Sequence, residues 1–170
     1  MGVLLVVVDQ VIKLLVKSNM EVGDQIDVFG LSWFKLCHVE NIGMAYGLKW
    51  GGWVGKLLLS LLRIGLVAVL VRWIWKLLKR DTVSGVLVGL VMITAGAVGN
   101  ILDSLYNGPF LFGQVIDMFQ FPLFHWPDWV PLLGGRLFFE PVFNFADACV
   151  TCGAFYLLIF HFKFFSSSKE

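Results

Sequence analysis

"VSGVLVGLVMITAGAVGNIL", residues 83–102, carries no charged side chain across twenty positions, the length at which an α-helix crosses roughly 30 Å of hydrocarbon. Its small residues Gly85, Gly89, Gly96 and Gly99 predict close approach by neighbouring helices. The chain around it is 58% hydrophobic and only 15% charged, with 16 Phe and 7 Trp among 170 residues. That is far greasier than a soluble domain, so the sequence reads as an integral membrane protein.

Working outward, three further apolar segments are candidates for spans. Residues 53–79, "WVGKLLLSLLRIGLVAVLVRWIWKLLK", are long enough but carry Lys56, Arg63 and Arg72, whose tips must snorkel or face protein. A fourth segment runs from about Pro141 to Phe165, with proline suited to a first helical turn. The first, "MGVLLVVVDQVIKLLVK", offers eight residues before Asp9, a rise of roughly 12 Å that cannot cross a bilayer. Either its start is truncated relative to related chains or the helix inserts only part-way. A cleaved signal peptide fits poorly, because Asp9 and Lys13 interrupt the apolar core and no A-x-A-like site follows.

The expected fold is therefore an all-α membrane protein of one domain, with four transmembrane helices at about 2–18, 53–78, 83–103 and 141–165. Residues 22–50 alternate polar and apolar positions with β-branched and aromatic enrichment, predicting a small extracytoplasmic β-sheet. Residues 104–140 form an extended outer loop whose Phe121, Phe124, Trp126 and Trp129 suit the headgroup region. Orientation follows from Arg72, Lys76, Lys79 and Arg80, clustered at the connection between the second and third helices; basic connections stay cytoplasmic. Both termini are then cytoplasmic as well.

Several functions are excluded or disfavoured. A net charge of +1 gives no footprint for nucleic acid. Cys149 and Cys152 lie in an apolar helical segment and read as packing residues. His38, His125 and His161 lack metal-type spacing.

Polar residues inside the spans carry the functional signal. With this topology Asn100 and Asp103 fall at the outer end of the third helix, and Asn144 and Asp147 at the outer end of the fourth. Asp9 and Lys13, four apart on one face and able to pair, sit toward the outer end of the first, and Asp117 lies in the outer loop. Interhelical hydrogen bonding would account for the asparagines, and a local ion pair for Asp9 with Lys13. Carboxylates gathered at one membrane depth are better explained as a functional site. Two of them facing each other cannot both ionise easily, so one keeps a proton while the other takes one from water, the chemistry of an aspartic peptidase. Which two of Asp9, Asp103, Asp117 and Asp147 pair is not decided by this reasoning.

Five motifs decide it by resemblance. "DQVIK" from Asp9, "NIGMAYG" from Asn41, "GAVGNILD" from Gly96, "VIDM" around Asp117 and "FNFAD" ending at Asp147 resemble, in order, the motifs of bacterial lipoprotein signal peptidase, or signal peptidase II. The resemblance implies a four-helix intramembrane aspartic peptidase of the bacterial inner membrane, multi-pass, with its active site toward the extracytoplasmic side; the chain is expected to act as a monomer. It implies no metal or cofactor, a catalytic dyad of Asp117 and Asp147, and membrane lipids and lipid-modified prolipoproteins as partners. The substrate would be diacylglyceryl-modified on the lipobox cysteine and cut on its amino side. Substrate-binding or supporting roles are implied for Asn41, Gly43, Ala45, Asn100, Asp103, Asn144, Ala146, Asp9 and Lys13.

Three features depart from that pattern. Ser104 stands where the family usually has arginine, so a cation beside the dyad is missing or comes from elsewhere, with Arg136 as the candidate. The stretch from Met118 to Glu140 is long and suggests a lid or lipid-resting flap. The first helix is short. The competing classes are a small transporter, which would string polar residues through the bilayer, and a non-catalytic lipoprotein-binding scaffold. The inner stretches "VSGVLVGLV" and "YLLIFHF" are almost wholly apolar, which disfavours the transporter.

Overall fold

The structure is a computed structural model that describes residues 1–41, 52–80 and 84–162. Four helices, α1 (Gly2–Asn19), α2 (Gly52–Leu78), α3 (Ser84–Tyr106) and α4 (Phe145–Phe160), pack around α3, which touches each of the others and α4 most extensively. Strands β1 (Gln25–Asp27) and β2 (Lys35–Asn41) follow α1, β3 (Val115–Gln120) follows α3, and a short hairpin of β4 (Phe124–His125) and β5 (Leu137–Phe138) precedes α4.

Glycine sets the α3–α4 distance. A Cβ at Gly96 would lie 2.2 Å from the Ala146 carbonyl oxygen, and one at Gly153 would lie 2.9 Å from the carbonyl oxygen of Gly89. Both obstacles are backbone and cannot swing aside, so each glycine is a condition of the contact. Gly99 meets α1 in the same way, its missing Cβ leaving room for the Asp9 carboxylate. Below these contacts Leu70 and Leu77 of α2, Val86 and Leu90 of α3 and Leu157 of α4 close an apolar cluster.

The outward faces are also apolar. Leu58, Leu61, Leu62 and Val69 of α2, Val3, Leu4 and Leu14 of α1, and Phe155, Leu158 and Ile159 of α4 are all exposed. Apolar surface on this scale marks contact with lipid rather than water. Among the described residues, two helices, α2 and α3, are by length and composition sufficient to cross a membrane, with mean hydropathy of 2.2 and 2.0, and α4 is a shorter apolar helix.

The sheet departs from expectation. It is antiparallel in the order β1-β2-β3, with Val39 opposite Asp117, Glu40 opposite Ile116 and Asn41 opposite Val115. Its third strand thus comes from the stretch read as loop, and Asp117 is a strand residue. Burial of four consecutive residues, Val115 to Met118, explains why the stretch showed no alternation. The fourth helix also starts later than expected. Pro141 lies outside it, because Phe143 pairs with β3: its N–H donates to the Phe119 carbonyl (3.0 Å), and its own carbonyl accepts from Met118 and Phe119 (3.1 and 2.8 Å). The chain stays extended until Asn144 caps α4.

Candidate active site

Asn144 begins the site. Its side chain accepts from the Asp147 N–H at 2.9 Å, and the Asp147 carboxylate accepts from the Asn144 N–H at 3.4 Å, forming a reciprocal capping box. Such a box satisfies two otherwise orphaned donors and fixes both side chains. Asp147 thereby occupies the first turn of α4, where the helix dipole favours negative charge.

The Asn144 amide then reaches outward in two directions. It donates to Asp117 Oδ1 at 2.7 Å and to Asn100 Oδ1 at 3.1 Å. Asn100 in turn donates to Asp147 Oδ1 at 2.8 Å, and Asn41 donates to Asp117 Oδ2 at 3.0 Å. Two carboxylates, one on a strand and one on a helix, are thus tied to a single pair of linked amides. Asn144 is fully buried and Asp117 is 3% exposed. Burial pushes the Asp117 carboxyl up to about 6; the negative charge of Asp147 adds to the shift, while the Asn41 and Asn144 hydrogen bonds and Lys13 oppose it.

A second layer lies behind. Lys13 sends its ammonium to Asp9 (2.9 Å), Asp103 (2.7 Å) and Asn100 (3.1 Å), so all three of its donors are occupied. Asp9 also accepts the Ala146 N–H at 2.8 Å, capping α4 from a different helix, and Asp103 accepts the Ile116 N–H at 3.4 Å, tying β3 to α3. Gln10 donates to Asp9, to Asp103 and to the Gly99 carbonyl, linking α1 to α3. Burial of such charges is tolerable only because they are paired and hydrogen-bonded.

Asp9, Lys13, Asn41, Asn100, Asp103, Asp117, Asn144, Ala146 and Asp147 therefore converge on one locus. Gly43 and Ala45 lie outside the described residues. Arg136 does not supply the expected cation: it is exposed on the β4–β5 hairpin, where its carbonyl accepts from the Trp126 N–H. Ser104 is buried and bonds back to the Asn100 carbonyl. Among the described residues, the arginine within electrostatic reach of Asp147, Asp117 and Asp103 is Arg63 of α2. Its charge inside an apolar helix was visible in the sequence, but its facing direction depends on how α2 meets α3.

A family model described as Signal peptidase (SPase) II matches residues 1–163. The chain belongs to the signal peptidase II family. Lipoprotein signal peptidase of Porphyromonas gingivalis is 40% identical over 183 aligned residues, covering 92% of this chain and 79% of that one. The enzyme of the same name from Amoebophilus asiaticus is 39% identical, covering 89% and 72%. Among solved structures, one bacterial membrane enzyme superposes with a TM-score of 0.69 at 24% identity, covering 99% of this chain and 89% of that one. Another reaches 0.67 at 25% identity, covering 93% and 87%. Membership of signal peptidase II makes the chain a protease of aspartic type and a bacterial membrane protein, and removes the transporter and scaffold alternatives.

Proposed function

We propose that Asp117 and Asp147 are the catalytic pair of a lipoprotein signal peptidase that removes the signal peptide from diacylglyceryl-modified prolipoproteins, cutting on the amino side of the lipobox cysteine. The observation that carries this reading is the amide pair Asn100–Asn144, which holds one carboxylate at each end. Burial and the charge of Asp147 raise the Asp117 carboxyl to about 6, which assigns the proton of the working pair to Asp117, with Asp147, held by Asn100 in the first turn of α4, as the proton acceptor. Asp147 takes a proton from water as the oxygen attacks the scissile carbonyl. Asp117 gives its proton to that carbonyl's oxygen, and the pair then returns a proton to the departing amine. The other polar residues, Asn41 included, orient these two groups, and no metal or cofactor enters the reaction.

The same reading takes all four helices as spans of the bacterial inner membrane, in a monomer, with the carboxylates near the extracytoplasmic surface. Basic residues at the α2–α3 connection and the polar cluster at the opposite end of α3 support it. A substrate anchored by its own lipid in that plane arrives pre-oriented, which lowers the entropic cost of the near-attack geometry. Exposed Phe29, Phe110, Trp129 and Leu132 lie on the sheet side and in the long loop, consistent with segments that rest on lipid.

The test replaces Asp117 and Asp147 singly with Asn in cells and follows a tagged prolipoprotein on a gel. Accumulation of the uncleaved form is expected for both variants. Normal processing by either variant would refute the assignment of the pair.

A further inference from the structure

The carboxyl groups of Asp9, Asp103, Asp117 and Asp147 gather between α1, α3, β3 and α4, and among the described residues two cations serve them. Lys13 is fully engaged, donating to Asp9, Asp103 and Asn100. Arg63 is not: among the described residues it forms no hydrogen bond and no ion pair.

Geometry puts Arg63 on the site side of α2. Ser60, Arg63, Leu70 and Leu77 recur at helical spacing, and of these Ser60, Leu70 and Leu77 are buried. Ser60 donates to the Leu111 carbonyl at 2.9 Å, which brings this face of α2 against the segment that follows α3. Farther along, Leu70 and Leu77 pack with Val86 and Leu90. α2 and α3 run antiparallel, so two turns back from Leu70 to Arg63 match two turns forward from Leu90, which reaches Ala97. Arg63 is therefore about one turn from the level of Asn100, the residue that donates to Asp147. Its guanidinium feels Asp147, Asp117 and Asp103 without bonding to any of them.

An arginine within an apolar helix is expensive unless it faces a polar partner or cavity. Its planar fork stays charged and offers only donors, so the group it lacks is an oxygen acceptor. The guanidinium bonds to neither Asp117 nor Asp147, which asparagine amides hold in place, so its fork is open to a molecule lodged beside them.

We propose that Arg63 is a substrate-binding residue whose guanidinium donates to a carbonyl oxygen of the lipid-modified peptide held next to Asp117 and Asp147. The inference rests on the peptidase reading above and adds a named contact to it. Two kinds of carbonyl in such a substrate have the required chemistry: those of the peptide flanking the scissile bond and those of the diacylglyceryl esters.

Binding and cleavage are measured in parallel on the full chain in nanodiscs. The affinity of a non-cleavable diacylglyceryl lipopeptide is determined for the unsubstituted protein, Arg63→Met and Arg63→Lys, with KM and kcat for the cleavable peptide. Losing a hydrogen bond to a charged donor predicts a Kd and KM weaker by about ten- to a hundredfold for Arg63→Met, with kcat changed far less. Arg63→Lys, which keeps the charge, falls between. Repeating the binding with an ether-linked lipopeptide separates the sources. If the penalty vanishes there, the esters are the partners, and if it persists, the peptide carbonyl is. Unchanged Kd in Arg63→Met overturns the proposal, as does a melting temperature lowered in both variants with kcat and KM worsening together. The peptidase reading is judged separately, by whether the unsubstituted protein cleaves at all.

Discussion

Asn144 donates to Asn100 at 3.1 Å across the α3–α4 interface, and each of these amides also donates to a different carboxylate, Asp117 for Asn144 and Asp147 for Asn100. The spacing of the two acids is thus set by a rigid bridge of side chains, themselves held by a helix cap and by Lys13.

Substituting Asn144 separates its two duties. Asn144→Ala removes cap and bridge together, and loss of the cap alone costs about 1 kcal/mol. Asn144→Ser restores a capping oxygen but cannot reach Asp117 and Asn100. The serine variant is expected to melt close to the unsubstituted protein while kcat falls by about a hundredfold, the effect of small misplacement of reacting groups. Full cleavage by Asn144→Ser would show the bridge to be dispensable.

The pH dependence of kcat/KM reports the ionisation of the free enzyme. With Asp117 pushed up to about 6 by burial and by the charge of Asp147, the singly protonated pair is lost as pH rises through that value. A descending limb near pH 6 is expected, belonging to the pair rather than to one residue. A profile flat from pH 5 to 8 would contradict the coupled-acid chemistry.

Stability should respond in a defined direction as well. The Asp117 carboxyl has a folded value of about 6 against an ordinary 3.8. The fold therefore favours its protonated form, and this contribution is complete below the ordinary value and lost as pH rises through about 6. Asp117→Asn removes a charge that is unfavourable above that point. Its thermal stability in detergent should exceed that of the unsubstituted protein at pH 8, by on the order of 2–3 kcal/mol, and the gain should disappear below about pH 4. A destabilised Asp117→Asn at pH 8 would show that the hydrogen bonds from Asn41 and Asn144 require the charge.

Removing Lys13 tests the layer behind the pair. Lys13→Met leaves Asp9 and Asp103 buried without their cation, which costs about 3–5 kcal/mol. Little folded protein is expected. Adding Asp103→Asn removes one of the stranded charges and should recover part of the yield, as measured by size-exclusion chromatography of the detergent extract. No recovery in the double variant would place the main role of Lys13 with Asp9 and Asn100.

Much of this arrangement was legible beforehand. The uncharged stretch at 83–102 fixed the solvent, and the depth of Asn100, Asp103, Asn144 and Asp147 follows from helical rise once the spans are drawn. Asp117 was harder. Its strand is buried over four successive residues and so lacks the period of two that marks a half-exposed strand. Pro141 suits a first helical turn, but the pairing of Phe143 with Phe119 overrides that local preference and α4 begins after it. Arg63 could not be assigned a direction, because helical periodicity gives a face without saying what lies opposite. That depends on the register between α2 and α3, which is set by Leu70, Leu77, Val86 and Leu90.

The bond from the Ala146 N–H to Asp9 joins residues 137 positions apart in the chain. Contacts of such long sequence separation form late, since a large loop must close first. The N-terminal helix emerges from the ribosome with its acceptor ready, but the donor is among the last parts of the bundle to be synthesised. On the proposed pairing, proteolytic competence is consequently postponed until α4 has been made, because a nascent fragment ending before it lacks both Asp147 and the donor that Asp9 awaits.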